Sequence, residues 1–293
     1  MLRPTVCAAA LLTIALAGCG GNSGPGPAAN VNGNPISMTA YQSAVWQARV
    51  EQVDSIGYDY CGTKGTEFEC KVLERQALQG LIDRELVREY AQSHHITISQ
   101  TDVNRNWLLI FDGKFKGNQA ALNGVLKRLH VSEAQYRQSL ADDLLQQRVE
   151  YAVTAGLPTS VPSKRIAILR YSTRKAARAA RAQLAHGASF LVLVTYAVAD
   201  PRSPCVKTKC GDLGWIPVEF IPSWTPQLRT AATHSVVGPL RVAGGGYVLY
   251  YVEAYDPHAA LTARQLVTQR QQRFSEWLKQ QERRARVTRN VAV

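Results

Sequence analysis

The residues able to do chemistry are few and unevenly placed. The 293-residue chain has six histidines and six cysteines. His94 and His95 are adjacent, a poor start for a metal site, because neighbours on a helix point in different directions and no third ligand accompanies them. The C-terminus of a helix, where partial negative charge favours imidazolium, accounts for them better. Four cysteines fall into two close pairs, Cys61 with Cys70 and Cys205 with Cys210. Neither pair has the two-residue spacing of a zinc knuckle, and even pairing at short range favours two local disulfides in an exported chain. From Lys164 to Ala199 there are seven basic residues and no acidic one, with Arg174, Arg178 and Arg181 at helical spacing. Lys209 to Pro217 reads KCGDLGWIP, too particular a run for an ordinary turn. No metal site and no cofactor are expected.

The N-terminus sets the expected compartment. Residues 1–18 combine a positive start at Arg3 with an apolar run too short to span a bilayer as a mature helix, and they end at Leu16-Ala17-Gly18-Cys19. This is the form of a lipoprotein signal, with Cys19 as the acylated residue. Residues 19–30 read as a Gly/Pro/Ser/Asn tether. The mature chain is expected outside the cytoplasm, lipid-anchored to the bacterial cell membrane. A net charge of +12 then points to anionic lipid heads or envelope polymers, and nucleic acid is not an expected partner.

Stepping along the chain, residues 31–157 read as mostly helical. Val31 to Ile36 is a short strand and turn, and Ser37 or Thr39 can cap a helix carrying Tyr41, Val45 and Trp46. Lys71 to Ser93 repeats apolar residues at three and four (Leu78, Leu81, Ile82, Leu86, Val87). Further helices are expected over Thr101–Ile110 and, after a capping box at Ser132 to Gln135, over Tyr136–Val149. Asp59 to Cys70 is a polar insertion closed by the first cysteine pair. Leu157 to Ser163 (LPTSVPS) reads as a linker. Residues 164–256 alternate strand and helix in about ninety residues, which points to an α+β domain. Residues 261–293 return to helix, with Phe274, Trp277 and Leu278 on one face, and this segment is expected to fold back on the first block.

The second block resembles the parvulin-type peptidyl-prolyl isomerases. The ordered landmarks are His186-Gly-Ala-Ser-Phe190, Tyr196, Asp200-Pro201, Gly211-Asp-Leu-Gly-Trp215, Pro222 with Trp224, Gly238-Pro239 and Gly246-Tyr247. The flanking blocks resemble the helical chaperone domain of the SurA and PrsA class of exported foldases, at Val31, Leu81, Trp277 and Val287. The resemblance implies an α+β chain: a helical chaperone domain with an inserted parvulin-like domain, binding unfolded or newly translocated polypeptides. Prolyl isomerisation breaks no covalent bond; its barrier of about 20 kcal/mol comes from amide resonance. A catalyst must therefore grip the proline ring and favour the twisted amide.

By the resemblance, Phe220 and Trp224 fall at pocket positions, and the next pocket aromatic falls on Arg229, where a guanidinium suits a buried ring poorly. Asp200 matches the family's Cys/Asp position. Both histidine positions are replaced, one by Ala167 or Ile168 and the other by Val248. The expectation is weak or absent isomerase activity. Arg170, Arg174 and Lys175, at a strand-to-helix turn, are candidates to meet an acidic residue preceding the substrate's proline. The rival readings are an active prolyl isomerase and a basic, polymer-binding envelope lipoprotein.

Overall fold

Side chains that close helix N-termini divide the first half of the chain into its elements. In a computed structural model describing residues 26–199, 203–207, 210–243 and 245–292, Ser37 Oγ accepts from the backbone N–H of Ala40 and opens α1 (Met38–Ile56). The long α2 follows (Glu67–Ser93). Ser99 caps α3 (Gln100–Phe115), and Asn118 caps α4 (Gln119–Leu129). Ser132 and Gln135 exchange side-chain-to-backbone bonds of 2.8 and 3.2 Å, the reciprocal capping box expected before α5 (Glu133–Thr154). Each such cap satisfies amide groups that the first helical turn cannot pair internally.

Before α1, Asn32 and Gly33 both take positive φ, 51° and 99°, and join β1 (Ala29–Val31) to β2 (Asn34–Ile36) as a two-residue hairpin. The other side of β1 pairs with β7 (Val287–Arg289), which follows α10 (Ala263–Arg284). The strand after α10 thus lies beside β1, although α10 itself is divided between the two compact units at Trp277. Beneath this sheet Ala29, Val31, Ile36, Tyr41, Leu78, Ile82 and Leu86 form one buried cluster. A second cluster of Trp107, Phe115, Leu122 and Leu126 ties α3, α4 and α5. The predicted α2 stripe is the buried one, and α2 stops at His94, whose ring stacks on Tyr90 at 3.8 Å.

The chain divides into two compact units, one holding residues up to Gln146 with Leu278 onward, the other Gln147–Trp277. The second is built on four antiparallel strands in the order β4-β3-β6-β5: β3 (Ser160–Tyr171), β4 (Gly211–Pro217), β5 (Val236–Arg241) and β6 (Tyr247–Ala260). One face is covered by α6 (Arg174–Ala185) and α7 (Phe190–Ala199). The short helices α8 (Pro204–Lys207) and α9 (Pro226–Thr230) complete the unit.

The LPTSVPS segment is not a linker throughout. β3 starts at Ser160 and pairs as far as Ala260, burying Val161 and Ser163. Its Pro162, and Pro257 on the facing strand, sit exposed where the register shifts, the place a strand tolerates a residue without an N–H. The landmark glycines have steric causes. A Cβ on Gly238 (φ 117°) would lie 2.5 Å from the Val248 carbonyl oxygen, and one on Gly246 (φ 85°) 2.9 Å from that of Tyr171.

Candidate functional site

Strand alternation decides which residues of the four-stranded sheet share a face. Ala167, Leu169, Leu249 and Tyr251 point toward α6 and α7, while Ile166 and Val252 belong to the opposite cluster with Ile221, Leu228 and Val237. The register pairs Ile168 with Tyr250 and Arg170 with Val248. Ile168 therefore lies on the face of Val248, and Ala167 does not. Ile168 is 2% exposed and Val248 fully buried. Two hydrocarbon side chains occupy these positions, and neither can donate or accept a hydrogen bond to a twisting amide.

Phe220 is half-buried and Trp224 is 62% exposed, and both lie outside the buried cluster on this face. Their segment is held by groups the sequence did not reveal. Lys164 is 5% exposed, and its ammonium donates to the carbonyls of Leu228, Arg229 and Ala231 at 3.1, 2.7 and 2.6 Å. Burial pushes its pKa down. The lysine closes the C-terminal end of α9, where carbonyls lack helical partners. Arg229, read from sequence as a misfit in a proline pocket, is exposed instead, and its Nε donates to the Ile221 carbonyl at 2.9 Å. It braces the loop and does not enter a pocket. In the sequence Lys164 is one of two adjacent basic residues at the head of the β3 apolar run, and nothing local marks it as the buried one.

In the GDLGW run, Gly211 and Gly214 take φ of 94° and 78°, and Asp212 accepts the Gly214 amide at 2.7 Å and the Arg165 guanidinium at 2.6 Å. These contacts shape β4 at its irregular pairing with β3. The motif's visible role is backbone geometry.

Arg170, Arg174 and Lys175 are not brought together at one groove. Arg170 lines a groove of about 460 Å³ with Tyr171, Thr173, Leu193, Tyr196 and Ser203, and its Nε is buried without an acceptor among the described residues. Arg174 lines a different groove, with Arg178 and Arg181. Arg174 and Lys175 are exposed in the first turn of α6, which carries no acidic residue. Positive charge there opposes the helix dipole, by about 0.3–1 kcal/mol each. Asp200 and Cys19 lie outside the described residues. Both disulfides form, Cys61–Cys70 and Cys205–Cys210.

The first unit carries an apolar groove of its own. A groove of about 740 Å³ runs between α1 and α2, lined by Gln52, Ile56, Tyr60, Phe68, Val72 and Leu73 among others. Ile56 is 57% and Phe68 72% exposed. A contiguous exposed apolar patch, unlike a lone surface hydrophobe, is a candidate binding surface. The Cys61–Cys70 bridge closes the loop beside it, and Asp59 holds that loop to α1: its carboxylate accepts from Arg49 Nη2 at 2.6 Å and from the Cys61 amide at 3.0 Å. The Arg49 contact holds the Asp59 carboxyl below its usual range. Within the groove both polar atoms of the Gln52 amide are shielded and find no partner among the described residues. An amide so placed costs free energy until something bonds it.

Fold and surfaces together define a helical protein with an inserted antiparallel-sheet domain and an exposed apolar groove in its helical part. Residues 4–150 match the family described as the SurA-like N-terminal domain. The chain belongs to that family. It is 25% identical over 251 residues to the chaperone SurA of Xylella fastidiosa, covering 74% of this chain and 52% of that relative. It is 30% identical over 129 residues to the periplasmic chaperone PpiD of Escherichia coli, covering 42% of this chain and 20% of PpiD. The chain thus spans about half the length of the SurA relative and less of PpiD. Among solved structures it is similar to the peptidylprolyl isomerase PrsA of Bacillus anthracis, with 16% identity, a TM-score of 0.41, and coverage of 70% of this chain and 94% of that one.

Proposed function

We propose that the chain is an extracytoplasmic folding factor that binds unfolded or newly translocated polypeptides, held at the membrane by a lipid on Cys19, with a parvulin-like domain that contributes little or no prolyl isomerisation. The observation that carries the binding reading is the α1–α2 groove, with Ile56 and Phe68 exposed along it. An extended client brings apolar side chains for the groove. Family membership and the relatives' printed descriptions as chaperones support the same reading.

The reading of low isomerase activity is supported by Ile168 and Val248, buried hydrocarbons where a polar surround is needed. The test pairs two assays on the full chain. Aggregation of a denatured client should be suppressed, and an I56S/F68S variant should lose most of that effect while keeping its circular dichroism. In a protease-coupled assay on a proline peptide the rate should stay near the uncatalysed one. Full suppression by I56S/F68S would remove the groove from the account, and a large rate enhancement would restore the active-isomerase reading. The polymer-binding reading predicts salt-sensitive retention on anionic envelope polymer with no effect on the client.

A further inference from the structure

The arginines of α6 border a groove that the foldase reading does not use. It measures about 690 Å³ and runs between α6 and β5, lined by Arg174, Arg178, Arg181, Val236, Val237 and Leu240 among others, none of them acidic. Positions 174, 178, 181 and 185 all border it, so the helix lies along its length. β5 is an edge strand of the sheet. Arg181 donates to the Gly238 carbonyl, which leaves Arg174 and Arg178 as guanidiniums with no carboxylate partner among the described residues. Arg165 of the same unit, by contrast, is paired with both Asp212 and Glu253.

We infer that this groove binds an extended peptide segment with acidic residues at alternate positions. Along α6 the three arginines are spaced about 6 and 4.5 Å apart, from the helical rise of about 1.5 Å per residue. Alternate side chains of an extended chain project from one side about 6.7 Å apart. Successive carboxylates can thus each reach a guanidinium, given the length and flexibility of arginine. Val236 on the α6 face of the sheet, with Ala182 and Ala185 of the helix, supplies an apolar floor for intervening side chains. Strand addition to β5 is not the means: Arg181 occupies the Gly238 carbonyl, and Pro239 has no N–H to give. A phosphate polymer would match the charge but leave the apolar floor unused. The site lies in the unit of residues 147–277 and does not rest on the α1–α2 groove or on the foldase reading.

The test is fluorescence anisotropy on the full chain in detergent, with a labelled peptide alternating Glu and Val and its Gln/Val counterpart. The Glu peptide should bind better at low salt, and R174Q/R178Q, which leaves Arg181 on Gly238, should weaken it about tenfold, the effect of two lost ion pairs of ordinary strength. I56S/F68S should leave this binding unchanged. R174E/R178E should reverse the preference toward a Lys/Val peptide, a gain that misfolding cannot mimic. Equal affinity for the Glu and Gln peptides, or no response to R174Q/R178Q, overturns the inference. So does stronger arginine-dependent binding of polyphosphate or of phosphatidylglycerol vesicles, which would assign the groove to phosphate ligands.

Discussion

At the scale of single residues, two positions separate folding from function. The side-chain amide of Gln52 exposes neither polar atom to water and bonds no described partner, so it burdens the fold. Gln52→Leu keeps its bulk and removes the burden. The expected outcome is a gain of about 1 kcal/mol in unfolding free energy by urea titration, with client binding unchanged because the amide presents no surface to a client. Loss of stability would show that the amide is satisfied by the fold itself. Val248 poses the opposite question. Val248→His places an imidazole at a fully buried site whose cross-strand neighbour is Arg170. It should lower stability by about 2 kcal/mol and leave the prolyl isomerisation rate unchanged. A rate increase would mean that one histidine suffices to restore the site.

At the scale of elements, the end of the α1–α2 pair depends on its staple. Cys61 and Cys70 are nine residues apart with Cα atoms at 4.8 Å, and Cys70 lies in the opening turns of α2. Constraining so short a loop in the unfolded chain contributes about 2–3 kcal/mol. C61S/C70S is therefore expected to lower the urea midpoint, and client affinity should fall with it because Tyr60 and Phe68 border the groove from this loop and its junction with α2. Client binding that survives intact after the fold has lost that stability would separate the staple from the groove. The segment from Pro217 to Ala231 has no disulfide. Its order comes from Lys164 and Arg229 on backbone carbonyls and from Thr225 Oγ1 on the Pro222 carbonyl at 3.0 Å.

At the scale of the whole molecule, the charge of +12 and the apolar groove make different demands on solvent. Binding to the arginine groove is electrostatic and partly screened once the Debye length falls below charge separations; binding to Ile56 and Phe68 is not. Raising NaCl from about 0.05 to about 0.5 M should abolish most binding of an acidic peptide while leaving that of a neutral, aromatic-rich peptide nearly unchanged. Parallel loss of both in the same titration would mean that one surface serves both ligands.

Much of the architecture was legible in the chain because its causes are local. Helix caps at Ser37 and Ser132, the α2 stripe, the Asn32-Gly33 turn and both cysteine pairs depend on residues close in sequence, and each appears in the structure. The landmark order around GDLGW likewise pointed to an inserted α+β unit. What the sequence left open was everything set by register or by distant partners. Alternation along β3 could not say whether Ala167 or Ile168 shares a face with Val248 until β6 was paired beside it. Arg229 became a brace because the Ile221 carbonyl lies within reach, and Lys164 became a clamp on α9 some sixty residues away. Arg170 and Arg174, four residues apart, were separated into two grooves by the turn from strand to helix. Local propensity names the elements, but only packing brings remote carbonyls, strands and charges to one place, and the working surfaces of this protein are made there.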